Sequence, residues 1–317
     1  MKFPHLLILA AAGLSCAAGS ATAQALPHVA TGTIERVTNF PSRYVDARNV
    51  DVWLPAGYSR AKRYNVLYMH DGQMLFDAAS TWNNQAWRVD QAVSGLVTQG
   101  RMPDTIVVGI WNNGRYRHAE YFPEKALDNL AEPLRKDFID RHLSGKALAD
   151  RYLRFIVDEL KPAIDRKYAT MTDRGHTFIM GSSMGGIISL YAMSEYPGIF
   201  GGAACLSTHW IGTHQANADV PMAIFRYMQA TLPAPATHRL YMDRGTETLD
   251  ALYRAPQEFA NQIVMDKGYA STNFSSRVFA GAAHTENDWS VRLKDVLSFL
   301  FEQKPAPVAT PDDQGRQ

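Results

Sequence analysis

Cysteine is nearly absent from this 317-residue chain, which has only Cys16 and Cys205. An excess of either charge is also missing: 32 Lys and Arg stand against 31 Asp and Glu, a formal net charge of +1. No general field therefore draws the chain to nucleic acid or to an anionic membrane. Long apolar runs are lacking too. The run at residues 6–12 is well short of the roughly 20 apolar residues that a membrane span needs. There is no internal repeat and no Gly/Ser linker, so repeat architectures and two separate cores are excluded. What is present is ordinary for a globular domain: 46% hydrophobic and 20% charged residues exclude the disordered and fibrous classes, short tails apart. The length sits at the upper edge of one hydrophobic core. Fourteen Tyr, 14 Phe and 6 Trp are enough for a large core and an aromatic-lined cleft.

The first residues predict an address. Lys2, the apolar run and Ala21-Thr22-Ala23 before Gln24 have the charged, apolar, A-x-A layout of a secretory signal peptide, residues 1–23. Export to the periplasm or beyond is the expectation. Cleavage would remove Cys16 and Lys2 but no acid, leaving 31 basic and 31 acidic residues and a net charge of zero. Cys205 alone then remains, and no internal disulfide can form. Within Gly202-Ala203-Ala204-Cys205-Leu206 it reads as a small core residue rather than a catalytic thiol. At the other end, residues 304–317 lack periodicity and predict a disordered tail.

Between these ends, one domain is expected over residues 24–303. Thr33-Ile34-Glu35-Arg36-Val37 and residues 44–53 alternate like antiparallel edge strands. Continuous apolar runs follow at 66–69, 105–110, 177–180, 203–206, 239–242 and 276–279, as in strands buried on both faces. Helical periodicity separates them at 87–97, 148–168, 184–195, 256–265 and 289–301. The pattern predicts an α/β fold with a mostly parallel central sheet, antiparallel N-terminal edge strands and helices on both faces. Two irregular insertions, near 112–145 and 207–221, interrupt it and are candidate walls or lids.

The chemistry is most legible at Gly181-Ser182-Ser183-Met184-Gly185, a G-x-S-x-G between a buried strand and a helix. A nucleophile at the tip of such a turn is strained, and small residues two before and two after permit the turn. The helix N-terminus behind it favours negative charge. Ser183 is therefore the candidate nucleophile, with Ser182 and Ser189 as ordinary serines. A base is expected in a later loop, and His284, where the last strand gives way to the C-terminal helix, fits better than the other nine histidines. An orienting acid should follow the strand at 239–242. Glu247 and Asp250 both lie beyond Gly245; Asp250 has room to reach back and is preferred, with Glu247 the alternative acid. Backbone N–H groups of Met184 and Gln73 are the candidate oxyanion hole. A rival pair, His70-Asp71, falls outside the expected chain order. His209 and His214 lack helical spacing and a companion carboxylate, so no metal site is predicted.

The segments Tyr68-Met69-His70-Asp71-Gly72-Gln73, Gly181-Ser182-Ser183-Met184-Gly185-Gly186, Gly245-Thr246-Glu247-Thr248-Leu249-Asp250 and Gly281-Ala282-Ala283-His284-Thr285-Glu286 together resemble the putative-esterase family of α/β-hydrolases. That family includes enterochelin esterase-like, feruloyl esterase and mycolyltransferase-type members. The resemblance spans residues 31–303. It implies the α/β-hydrolase fold and a serine esterase with a Ser-His-acid triad, an acyl-enzyme intermediate and no cofactor. The expected partner is a small-molecule ester, with an aromatic acyl, sugar or siderophore group, and neither nucleic acid nor membrane. Trp87, Tyr121, His209 and Trp210 are the substrate-binding candidates. Acyl transfer through the same acyl-enzyme is the alternative, followed by a non-catalytic binding protein.

Overall fold

The computed structural model describes residues 25–301. The predicted signal peptide and tail lie outside the described residues. Within them, no helix is long and apolar enough to cross a membrane. The strands are β1 (Thr33–Phe40), β2 (Arg48–Leu54), β3 (Asn65–His70), β4 (Thr105–Ile110), β5 (Thr177–Ser182), β6 (Gly202–Leu206), β7 (Arg239–Arg244) and β8 (Phe274–Val278). They form one sheet in the order β1-β2-β4-β3-β5-β6-β7-β8. The β1/β2 and β2/β4 pairs are antiparallel, and the rest of the sheet is parallel. Parallel neighbours need crossovers, which helices supply: α1 (Val89–Thr98), α2 (Arg117–Tyr121), α3 (Leu134–His142), α4 (Ala149–Arg154), α5 (Lys161–Lys167), α6 (Met184–Glu195), α7 (Asp219–Thr231) and α8 (Arg254–Asp266), while α9 (Glu286–Phe301) follows the last strand.

Every residue of β3, β4, β5 and β6 is buried, which is why those strands read as unbroken apolar runs. Their two-residue period divides the interior into two layers. Val66, Tyr68, Ile179 and Ala203 face one side, while Leu67, Met69, Met180 and Ala204 face the other with Val93 of α1 and Leu293 and Leu297 of α9. Each fully buried Leu or Val contributes about 1.5–3 kcal/mol.

The expected helix at 148–168 is present as α4, a π segment (Phe155–Leu160) and α5. Pro162 has no N–H for the carbonyl four residues back, so the α ladder is broken where the π segment hands over to α5. Three expectations need correction. The strand placed at 276–279 begins earlier, at Phe274, and is half-exposed, because it closes the sheet's edge. The insertion at 207–221 was not expected to contain a helix, yet α7 starts at Asp219. Pro221 sits in its first turn, where the missing N–H would have no partner in any case. The insertion at 112–145 is also largely helical, with α2, α3 and a 3-10 segment (Glu124–Asn129) that bury Tyr121, Phe122, Leu127 and Phe138.

Phe155 marks the inner face of the long helical unit, edge-on to Phe40 with ring centroids 5.8 Å apart. Phe155→Ala is expected to cost about 3–5 kcal/mol, whereas the exposed Arg151→Ala should stay within about 0.5 kcal/mol. Urea unfolding of both variants measures the contrast; equal losses would contradict the assigned face.

Candidate active site

β5 ends at Ser182 and α6 begins at Met184, so Ser183 makes the whole reversal alone, at φ 57° and ψ −122°. A left-handed conformation costs a non-glycine residue about 1–3 kcal/mol. Backbone bonds hold it there. The Ser183 N–H donates to the Leu206 carbonyl (2.9 Å), and its carbonyl accepts from the N–H groups of His209 and Gly186, both at 3.1 Å. The flanking glycines are a packing requirement: a Cβ on Gly181 would lie 2.8 Å from the Gly185 backbone.

The loop after β7 and the loop after β8 are laced together. Thr246 and Glu247 donate their N–H groups to the Ala282 carbonyl, both at 3.0 Å, and the His284 N–H donates to Thr248 Oγ1 at 2.9 Å. The contact is so close that a Cβ on Gly245 would sit 2.1 Å from the Ala282 oxygen. This lacing brings Asp250 and His284 together, with His284 Nδ1 2.5 Å from Asp250 Oδ1. Asp250 has no exposed surface. Its other oxygen, Oδ2, accepts from Ser207 Oγ (2.6 Å) and from the Gly245 N–H (2.5 Å). Burial alone would raise the Asp250 pKa, but the bonds from His284, Ser207 and Gly245 outweigh it and hold the carboxyl below its usual range. Glu247 is exposed, and its carboxylate accepts from Thr246 Oγ1 next to it, so the alternative acid does not meet His284.

Ser183 and His284 line one cleft of about 470 Å³, together with Gln73, Trp82, Trp87 and Arg117. Met184 is the first residue of α6 and Gln73 the second of a single 3-10 turn (Gly72–Met74), so neither N–H has an acceptor within its own helix. His284 is packed edge-on against Trp289 (5.0 Å between centroids) and Tyr253 (5.8 Å).

The rival pair His70-Asp71 is divided between other partners. His70 Nδ1 lies 2.8 Å from the Tyr152 hydroxyl, and burial lowers the His70 pKa to about 3. Asp71 instead makes a bidentate pair with Arg117, both contacts at 2.7 Å, and accepts from Asn112 Nδ2. Of the four substrate-binding candidates, only Trp87 borders the cleft. Tyr121 and Trp210 have no exposed surface: the first packs on His70 and Tyr152, the second donates to Gln257 Oε1. His209 is buried beside the Ser183 turn, its Nδ1 2.5 Å from the Tyr253 hydroxyl. These three are packing residues: α2 turns Tyr121 inward, and the loop directly after β6 buries His209 and Trp210. Conversely, sequence reasoning overlooked Ser207, Trp289 and Arg292. The signal for Ser207 was available: it directly follows β6 on the edge of the sheet that carries Ser183.

The family model described as putative esterase matches residues 43–300. The uncharacterized protein YbbA of Bacillus subtilis (strain 168) is 22% identical over 262 residues, 80% of this chain and 92% of that protein. A CE1 ferulic acid esterase from Anaeromyces mucronatus, solved in complex with ferulic acid, is similar at a TM-score of 0.60 and 18% identity, covering 86% of this chain and 92% of that one. The enterobactin esterase of Shigella flexneri, solved in the presence of enterobactin, is similar at a TM-score of 0.62 and 18% identity, covering 88% of this chain and 60% of that one. The fold is that of the α/β-hydrolases.

The buried imidazole of His70 sets a pH dependence. Unfolded, it takes up a proton near its ordinary pKa of 6.5; folded, it resists down to about 3. Between those values the unfolded chain binds the extra proton, so stability falls as pH drops through 6.5 and this contribution levels off near pH 3. His70→Gln should flatten the slope of unfolding free energy against pH by up to one proton. Urea titrations from pH 7.5 to 4.5 test this; an unchanged slope would mean that His70 is not held neutral.

Proposed function

The chain belongs to the putative esterase family and is a carboxylic ester hydrolase, and from that premise we propose that Ser183 is its nucleophile, His284 its general base and Asp250 the acid that orients the imidazole. The observation that carries this reading is the bond between Asp250 and His284, made at the rim of a cleft that Ser183 also borders. With Nδ1–H committed to Asp250, the lone pair on Nε2 is left to take the serine proton. Among the described residues no hydrogen bond joins Ser183 Oγ to His284; such bonds often tighten only when substrate binds.

Ser183 Oγ attacks the ester carbonyl as His284 takes its proton. The oxyanion accepts hydrogen bonds from the N–H groups of Gln73 and Met184, assisted by the positive end of α6. His284 then gives the proton to the leaving alcohol, activates a water and releases the acyl group from Ser183. A small-molecule ester with a bulky aromatic or sugar group suits the cleft, because Trp82, Trp87, Met74 and Trp289 line one part and Asn112 and Arg117 another. Ferulic acid and enterobactin, named for the two similar structures, both carry aromatic acyl groups of that bulk. Residues 1–23 place the work outside the cytoplasm in this reading, in the periplasm or beyond.

Ser183→Ala should abolish hydrolysis of nitrophenyl, feruloyl, acetyl-sugar and siderophore esters alike, with thermal unfolding unchanged. A fluorophosphonate probe should label Ser183 alone. Asp250→Asn should lower turnover by as much as about 10⁴-fold, and Glu247→Gln should have little effect. Labelling at another serine, or the opposite order of the two acid variants, would sink the assignment.

A further inference from the structure

Asp250 is held by a residue that belongs to no triad. Ser207 lies at the end of β6, fully buried, with φ at 43°. Its N–H donates to the Asp243 carbonyl (2.9 Å) and lies 3.1 Å from Asp243 Oδ1. Its hydroxyl meets three groups: Trp289 Nε1 at 2.9 Å, Arg292 Nη2 at 2.7 Å and Asp250 Oδ2 at 2.6 Å. A hydroxyl has one proton and two lone pairs, and indole and guanidinium nitrogens can only donate. The two lone pairs are therefore taken, and the proton can go only to Asp250. A water in the same place could turn round; Ser207 cannot.

The donors are themselves fixed. Arg292 Nη2 is 2.9 Å from Asp243 Oδ1, an ion pair with side chains about 1% and 0% exposed. Trp289 packs on Trp87 and on the His284 ring. Trp289 and Arg292 are one turn apart on α9, so a single helix face directs the hydroxyl. We propose that Ser207 is a positioning residue for ester hydrolysis, its proton directed by Trp289 and Arg292 onto Asp250 Oδ2 so that Oδ1 stays aimed at His284. The inference rests on the triad reading given above.

The test uses the full mature protein with its active sites counted by fluorophosphonate titration, so that every rate refers to folded enzyme. Ser207→Ala and Ser207→Gly both delete the hydroxyl, and glycine also accepts the positive φ. Loss of a hydrogen bond to a charged group predicts a fall in kcat of about 10- to 100-fold, with KM changed by less than about threefold. A carboxylate with one donor fewer attracts the imidazolium more strongly, so the acid limb of kcat/KM should move to higher pH in both variants. The other groups around the imidazole are left in place: Glu286, Arg117 and Asp71 on the cleft, with His209 and Tyr253 behind it. Equal effects in the alanine and glycine variants assign the loss to the hydroxyl. Unchanged kcat and an unmoved acid limb with normal titration would overturn the role of Ser207 alone. A loss in the alanine variant that glycine restores would make Ser207 a backbone requirement and overturn it too. Failure of the probe to label Ser183 in the unsubstituted enzyme would remove the triad reading and this one with it.

Discussion

Asp250 has no exposed surface, yet it faces an imidazole and has to carry a charge there. An isolated carboxylate in such a place would take up a proton instead of staying ionised. The surrounding structure can be understood as the means of preventing that. The glycine turn after β7 aims an N–H at it, the end of β6 supplies a hydroxyl, and the loop after β8 folds against both to deliver the imidazole. These groups come from three parallel strands whose C-terminal ends lie side by side. The sheet order thus matters to the chemistry as much as any side chain does.

The turn at Ser183 and the meeting of His284 with Asp250 were legible before any coordinates, because each is tied to a local rule. Ser183 needs glycines at fixed offsets, His284 follows the last strand, and Asp250 has the reach that Glu247 lacks. The alternation of β1 and β2 and the apolar runs of β3 to β7 gave the sheet's composition for the same reason: burial on one face or two leaves a period in the chain. β8 was blurred, since its five residues grade from half-buried to exposed without alternating.

The aromatic residues of the insertions were the harder problem. Tyr121 and Phe122 end a helix of five residues, too short to leave a pattern, and Trp210 lies in a loop, so composition suggested a binding wall where there is core. An aromatic ring satisfies either role, and only the local course of the backbone decides between them. Ser207 shows the opposite limit. Its place directly after β6 was legible, but its partners lie about 40 and 80 residues away in sequence, beyond the reach of any local pattern.

The cleft also divides its labour by side. In the reading proposed above, proton handling comes from the loops after β6, β7 and β8, which interlock around the buried Asp250. The walls that meet substrate come largely from the loops after β3 and β4, where Trp82 stands 84% exposed and Arg117 is tied back to Asp71. Ser183, just past the end of β5, stands on the boundary. On that reading, substitution of an exposed wall side chain such as Trp82 leaves the Asp250–His284 pair untouched. The side of the cleft that would choose the ester is free to vary apart from the side that would move the proton.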